Sequence, residues 1–141
     1  MSYKQTYIPT VNNKDFQGMK LGELKVYVKK YYNENIKNTT VTNKHKNITV
    51  KFSRKGIDHL LYARNAGFVK LKAVLKLKEI VENAVFLNFK DKDKSDSKDI
   101  FGYINMKCKV NIEEKNQVFR IVIKLTKDGK FYYDHSVKVR K

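Results

Sequence analysis

The sequence predicts an α+β domain in which N-terminal helices pack on one face of a four-stranded antiparallel sheet. Three observations carry that expectation. Apolar residues recur at spacings of three and four between residues 21 and 85, and from Ile100 onward the period becomes two. The 141 residues, 41% of them apolar, suffice for one modest core. The expected organisation is an N-terminal extension and amphipathic helix over residues 1–37 and a main domain over 38–141, making one compact unit.

Residues 1–19 show no sustained period, and Pro9, Asn12, Asn13 and Gly18 interrupt any helix, so this stretch reads as a pinned extension or a lead-in. From Leu21 the positions Leu21, Leu24, Val28 and Tyr31 form an apolar stripe, predicting a helix that ends near Asn35 to Asn38. Only one of Tyr31 and Tyr32 can share that stripe, and core packing is its expected role. Asn38 to Asn47 reads as strand or loop, and ITVKF places Ile48, Val50 and Phe52 on one face of a short strand. Ser53 is a good N-cap for a following helix with Ile57, Leu60, Leu61 and Arg64 on one side and His59 and Tyr62 on the other. After a break at Arg64 to Gly67, LKAVLKLKEIVENAV predicts a second, stronger helix that pairs with the first as a hairpin. KDKDKSDSKD reads as a solvated, mobile loop.

The C-terminal segments IFGYINMKCKVNI, QVFRIVIKLT and KFYYDHSVKV alternate with period two and predict a three-stranded antiparallel meander, joined by turns at EEKN and KDG. With ITVKF, four strands are available. Lys127-Asp128-Gly129 allows two registers, which place every side chain of the last strand on opposite faces. The three-residue loop buries more apolar surface: Ile121 then opposes His135, and His135 shares the core face with Phe131, Tyr133 and Val137. The two-residue turn sets Val122 opposite His135 and assembles His135 with Arg120 and Lys124 on the open face. Burial favours the first register, which leaves Arg120, Ser136, Lys124 and Tyr132 open and His135 near a rim.

Lys and Arg outnumber Asp and Glu by 31 to 14, a formal charge of +17. The excess is global, about +6 over residues 1–50, +5 over 51–87 and +6 over 88–141. Charge so distributed attracts polyanions, nucleic acid first among them, because neutralising phosphates releases counterions. A lone Cys108 cannot form an intramolecular disulfide or a cysteine zinc cluster, which points to an intracellular, cytoplasmic site of action. No apolar run reaches membrane-spanning length, and MSYKQTYIPT lacks a signal-peptide core.

Metal-independent RNA cleavage needs a base for the 2′-hydroxyl, an acid for the leaving 5′-oxygen and cations on the phosphorane-like oxygens. Of three histidines, His45 sits in a Lys-rich loop and receives no role, whereas His59 and His135 are the acid/base candidates. Arg120 and Lys124 are expected to bind phosphate, Arg120 meeting either a phosphate or Asp134, and Ser136 orients. The carboxylates are interleaved with lysines, so no metal site and no cofactor are expected, and glycine-rich phosphate loops and Gly-x-Ser-x-Gly are absent.

The segments NTTVTNKHKNITVKFSRKGIDHLL, KLKAVLKLKEIVENAVF and RIVIKLTKDGKFYYDHSV resemble the phage-associated barnase/EndoU/colicin/RelE-like (BECR) nuclease domains of large polyvalent and minor head proteins, over about residues 38–139. The resemblance implies helices on a four-stranded antiparallel sheet and metal-independent endoribonuclease activity of a toxin or phage effector, delivered as part of a larger protein. It points to Lys55-Gly56 with His59, to Arg120, and to Asp134-His135-Ser136, so that His59, Arg120, His135 and Ser136 are catalytic candidates and Lys55, Lys124 and Tyr133 contact substrate. RNA, including tRNA, is the expected substrate, and an acidic inhibitor or immunity protein the expected protein partner. The alternative is a non-catalytic basic nucleic-acid-binding or phage-assembly module.

Overall fold

A computed structural model of the chain describes residues 3–12, 16, 18–53 and 67–139. Among these residues seven strands form one mixed sheet: β1 (Thr10–Val11), β2 (Thr40–Thr42), β3 (Thr49–Lys51), β4 (Val85–Asp91), β5 (Ile100–Ile112), β6 (Lys115–Thr126) and β7 (Phe131–Lys138). Their order is β1-β5-β6-β7-β3-β2, with β4 also paired to β5. Among the described residues three helices accompany them, α1 (Leu21–Asn35), α2 (Phe68–Val74) and α3 (Leu77–Asn83). The sheet curls into a half-barrel. The expected four-stranded antiparallel sheet under N-terminal helices, and with it the BECR-like fold, is therefore incorrect.

The meander itself forms as its period demands. β5 and β6 pair antiparallel from Ile100↔Thr126 to Ile112↔Lys115, and β6 pairs β7. The turn at EEKN tightens to two residues, Glu113 and Glu114, both at positive φ (58° and 63°), the geometry that a right-twisted hairpin requires. What alternation could not reveal is the two parallel joints, β1 with β5 and β3 with β7. Parallel partners lie far apart in sequence and leave no local turn signal.

The long helix expected over residues 71–85 is split, and the reason is geometric. Leu71 and Ile80 are both buried, yet nine residues along a continuous helix place them about 180° apart. A break at Leu75 and Lys76, where two amides bond back only three residues, turns the axis so that Leu71, Val74, Leu77 and Ile80 all meet the core. The end of that stretch, Val85-Phe86-Leu87, is strand β4 instead of helix. Short apolar runs rich in β-branched and aromatic residues fit either element by period alone, and here the free edge of β5 decides. In α1, Leu24, Val28 and Tyr32 are buried at spacings of four, and Tyr32 takes the core position expected of Tyr31. The expected helix from Ser53, with Lys55 and His59, lies outside the described residues.

The β2–β3 loop fastens α3 to the sheet. Asn43 is fully buried, and its side-chain amide donates to the carbonyls of Val81 (2.8 Å) and Ala84 (2.9 Å), at the helix end where carbonyls lack partners. Its Oδ1 accepts from the Lys46 amide at 2.9 Å. Nearby, His45 Nδ1 accepts from the Phe86 amide (3.0 Å), so the ring is neutral there. Its pKa is lowered from 6.5 by partial burial and then by Lys46.

Asn43→Ala strands two buried carbonyls and one amide, and is expected to cost about 2 kcal/mol. Urea denaturation followed by circular dichroism would measure it; an unchanged midpoint would show that Asn43 is not the fastener.

Candidate nucleic-acid interface

The helices cover one face of the sheet. The even-numbered residues of β5, Met106, Cys108, Val110 and Ile112, point into that core with Phe119, Ile121 and Ile123 of β6. The other face is polar, and register arranges it in rows across four strands. Lys90, Tyr103, Lys124 and Tyr132 form one row; Asn88, Asn105, Val122 and His135 the next; Val85, Lys107, Arg120 and Val137 the third. Strands spaced about 4.8 Å apart make each row roughly 15 Å wide. Cations alternate with tyrosines in the first row, and Lys124 Nζ lies 5.9 Å from the Tyr132 ring centroid.

His135 reaches this face through a β-bulge that joins both registers weighed from the sequence. At the turn, Thr126 N donates to Lys130 O (3.0 Å), Gly129 takes φ 82°, and Leu125↔Phe131, Lys124↔Tyr132 and Ile123↔Tyr133 follow the three-residue-loop register. Then the register shifts. Val122 opposes His135, Ile121 opposes Ser136 and Arg120 opposes Val137, with Asp134 as the extra residue. The insertion moves His135 from the core face to the outer face, correcting the expectation that it faces Ile121 and shares a face with Tyr133.

The same shift turns Ser136 inward. Its hydroxyl lies 2.5 Å from that of the buried Tyr133. Burial is the main reason the Tyr133 hydroxyl ionises only far above its ordinary value of 10. Ser136 and Tyr133 thus line the core side with Ala73, Val74 and Phe119, away from His135, Arg120 and Lys124. Lys55 and His59 lie outside the described residues.

On the outer face, His135 Nδ1 lies 2.6 Å from Asp134 Oδ2. With the aspartate accepting from Nδ1–H, Nε2 is left as the acceptor nitrogen, the tautomer a general base needs. Asp134 therefore engages the histidine, and Arg120, exposed, forms no ion pair among the described residues. Arg120 and His135 are diagonal neighbours on the face, about 7–8 Å apart at their backbones.

A solvent-open pocket of about 320 Å³ joins these groups, lined by Lys90, Tyr103, Asn105, Arg120, Asp134 and His135 over the floor of Val122. Tyr103 and Asn105 were not among the candidates from sequence, although their outward places in the period of IFGYINMKCKV were a usable signal. Tyr103 donates to Asp96 (3.1 Å). Burial first and Asp96 next push its hydroxyl up to about 12, so it stays protonated at neutral pH. KDKDKSDSKD forms a loop over residues 92–99 as expected, whereas Lys90 and Asp91 belong to β4, and within the loop Asp93 N donates to Asp96 Oδ2 (2.8 Å). Cys108 is buried on the opposite face, its thiol pushed up to about 12.

Fold and face together define a small curled mixed-sheet domain with helices on one side and a cation-rich polar surface on the other. The chain belongs to the large polyvalent protein-associated domain 3 family, whose model matches residues 19–133. It is a phage-associated domain of polyvalent proteins, which fits a phage-encoded part of a larger protein. The phage association implied by the resemblance is supported, and its nuclease class is not. No curated protein and no solved structure matches the chain. Among the described residues no helix is long and apolar enough to cross a membrane.

Ser136→Ala removes a core hydrogen bond and is expected to lower stability by about 1 kcal/mol while leaving nucleic-acid affinity unchanged. A thermal melt paired with an electrophoretic shift assay separates the two; weaker binding at unchanged stability would return Ser136 to the outer site.

Proposed function

We propose that the domain binds RNA, tRNA included, across its outer sheet face and cleaves it without a metal, as an effector carried within a phage polyvalent protein. The observation that carries this reading is the His135–Asp134 pair at 2.6 Å on the same face as Arg120 and Lys124. His135 Nε2 takes the 2′-hydroxyl proton, and the 2′-oxygen attacks phosphorus. The P–O5′ bond breaks, leaving a 2′,3′-cyclic phosphate. The leaving 5′-oxygen takes its proton from water in the solvent-open pocket. Arg120 and Lys124 stabilise the charge that develops on the phosphoryl oxygens. Asp134 orients the imidazole through Nδ1.

The site and not the fold supports this reading, since the sheet departs from the BECR arrangement. Membership in a phage-associated family also suits a non-catalytic module that holds nucleic acid during phage assembly. Such a module needs the cations of the outer face and no histidine. An acidic inhibitor would occupy the same face.

Total RNA and tRNA incubated with the purified protein in excess chelator are expected to yield fragments ending in cyclic phosphate. His135→Ala should reduce the rate by about 10²- to 10⁴-fold, and Asp134→Asn should reduce it less while RNA binding persists. Binding without cleavage in the wild-type protein would refute the enzyme and leave the module.

A further inference from the structure

A second pocket adjoins the first on the outer face, at the other end of β5. It has a volume of about 510 Å³ and is lined by Tyr3, Lys4, Gln5, Val85, Lys107 and Lys109 among others, with no carboxylate among the described residues of its wall. The first pocket, by contrast, sets Asp93 and Asp134 among its cations. Among the described residues none of Lys4, Lys107 and Lys109 forms an ion pair. Three ammonium groups around one concavity, with no counter-charge among the described residues, attract an anion with several charged groups.

The wall opposite β5 is the N-terminal segment, and it is fastened in place. Gln5 Nε2 donates to Lys109 O (2.9 Å), and its Oε1 accepts from Lys109 N (2.7 Å), so one side-chain amide satisfies both main-chain groups of an edge residue. Asn111 N donates to Pro9 O (2.8 Å) just before β1 pairs with β5. Tyr3 is stacked on His45 with ring centroids 4.1 Å apart and planes 9° from parallel. His45 is itself held by the Phe86 amide. The tyrosine ring is thus oriented before any ligand arrives.

The two pockets are continuous through one row of the sheet. Lys107, in the wall of the second, pairs directly with Arg120, in the wall of the first. From Tyr103 to Lys109 the outer side of β5 runs roughly 20 Å, long enough for several nucleotides of an extended strand. A pre-oriented aromatic ring beside lysines suits an unstacked base and its flanking phosphates, whereas the bases of a duplex are already stacked on each other.

We infer that the pocket between the N-terminal segment and β5 is a flanking subsite for single-stranded nucleic acid, with Tyr3 as the base platform and Lys4, Lys107 and Lys109 as phosphate contacts. This rests on the proposed outer-face binding and extends it. The strand passes from the pocket of His135, across Lys107 and Arg120, to Tyr3. Single-stranded character of the substrate then comes from a segment distant from the cleavage chemistry.

Fluorescence anisotropy with a labelled, non-cleavable 2′-O-methyl RNA ten-mer tests it, with a duplex of the same sequence alongside. The single strand should bind more tightly than the duplex. Tyr3→Ala should weaken single-strand binding by roughly tenfold and Tyr3→Phe should restore it. The double variant Lys107→Ala/Lys109→Ala should lower the slope of log affinity against log salt by about 1.4. Far-UV circular dichroism should match wild type for each variant. Wild-type affinity and salt slope in the Tyr3 and lysine variants, while Arg120→Ala and Lys124→Ala weaken binding, would overturn the subsite and spare the outer-face reading. Undiminished binding in all of these variants would overturn both.

Discussion

The bulge at Asp134 is the constraint on which the two faces of this domain depend. In a regular β7, Tyr133 and His135 would share a face, and the chain would have to choose between a filled core and an accessible histidine. One inserted residue removes the choice. Tyr133 stays under the helices opposite Ile123, while His135 emerges opposite Val122 beside Arg120. The inserted residue also has a task, since its carboxylate holds His135 Nδ1 at 2.6 Å.

Similar irregularities elsewhere shape the sheet around that point. β4 carries a bulge between Phe86 and Asn88, and β5 one between Ile100 and Gly102. Each bends its strand and increases local twist, consistent with a sheet that curls into a half-barrel. Gly102 is tied to this geometry, because a Cβ there would sit 2.3 Å from the Phe89 ring and 2.8 Å from Lys90 O. On the helical side, the broken axis between α2 and α3 and the buried Asn43 let apolar stripes that do not lie on one straight helix reach the same core. On the outer side, β4 and the N-terminal segment share the edge of β5 left open by β6. β4 therefore extends the cation-rich face, and the N-terminal segment borders it beside Lys107 and Lys109.

Much of the β-structure was legible from local signals. The period of two in IFGYINMKCKVNI and QVFRIVIKLT, the glycine of KDG and the spacing of Leu24 and Val28 each correspond to an observed strand, turn or helix. The parallel joints were not legible, because hydrogen bonding between distant segments leaves no mark on either one alone. The split helix and β4 were misread because LKAVLKLKEIVENAV has strong helical propensity throughout, and propensity yields to tertiary packing. Arg120, Lys124 and His135 were candidates by residue type, and the structure brings them to one face. Tyr133 lies opposite Ile123 on the core face as its register predicts, whereas His135 and Ser136 were misplaced by one register step. That step could not be read from the hairpin, because its apolar pattern and its polar pattern obey different registers and the strand satisfies both. Tyr103 and Asn105 went unnoticed because their neighbours across the sheet come from segments on both sides in sequence.

Cross-strand nuclear Overhauser effects between β6 and β7 report directly on the bulge at Asp134. The bulged strand requires backbone contacts for Ile123 with Tyr133 and for Val122 with His135 in the same sample, with Asp134 unpaired. Contacts between Ile121 and His135 would instead mean one regular register, with His135 turned into the core and no histidine beside Arg120.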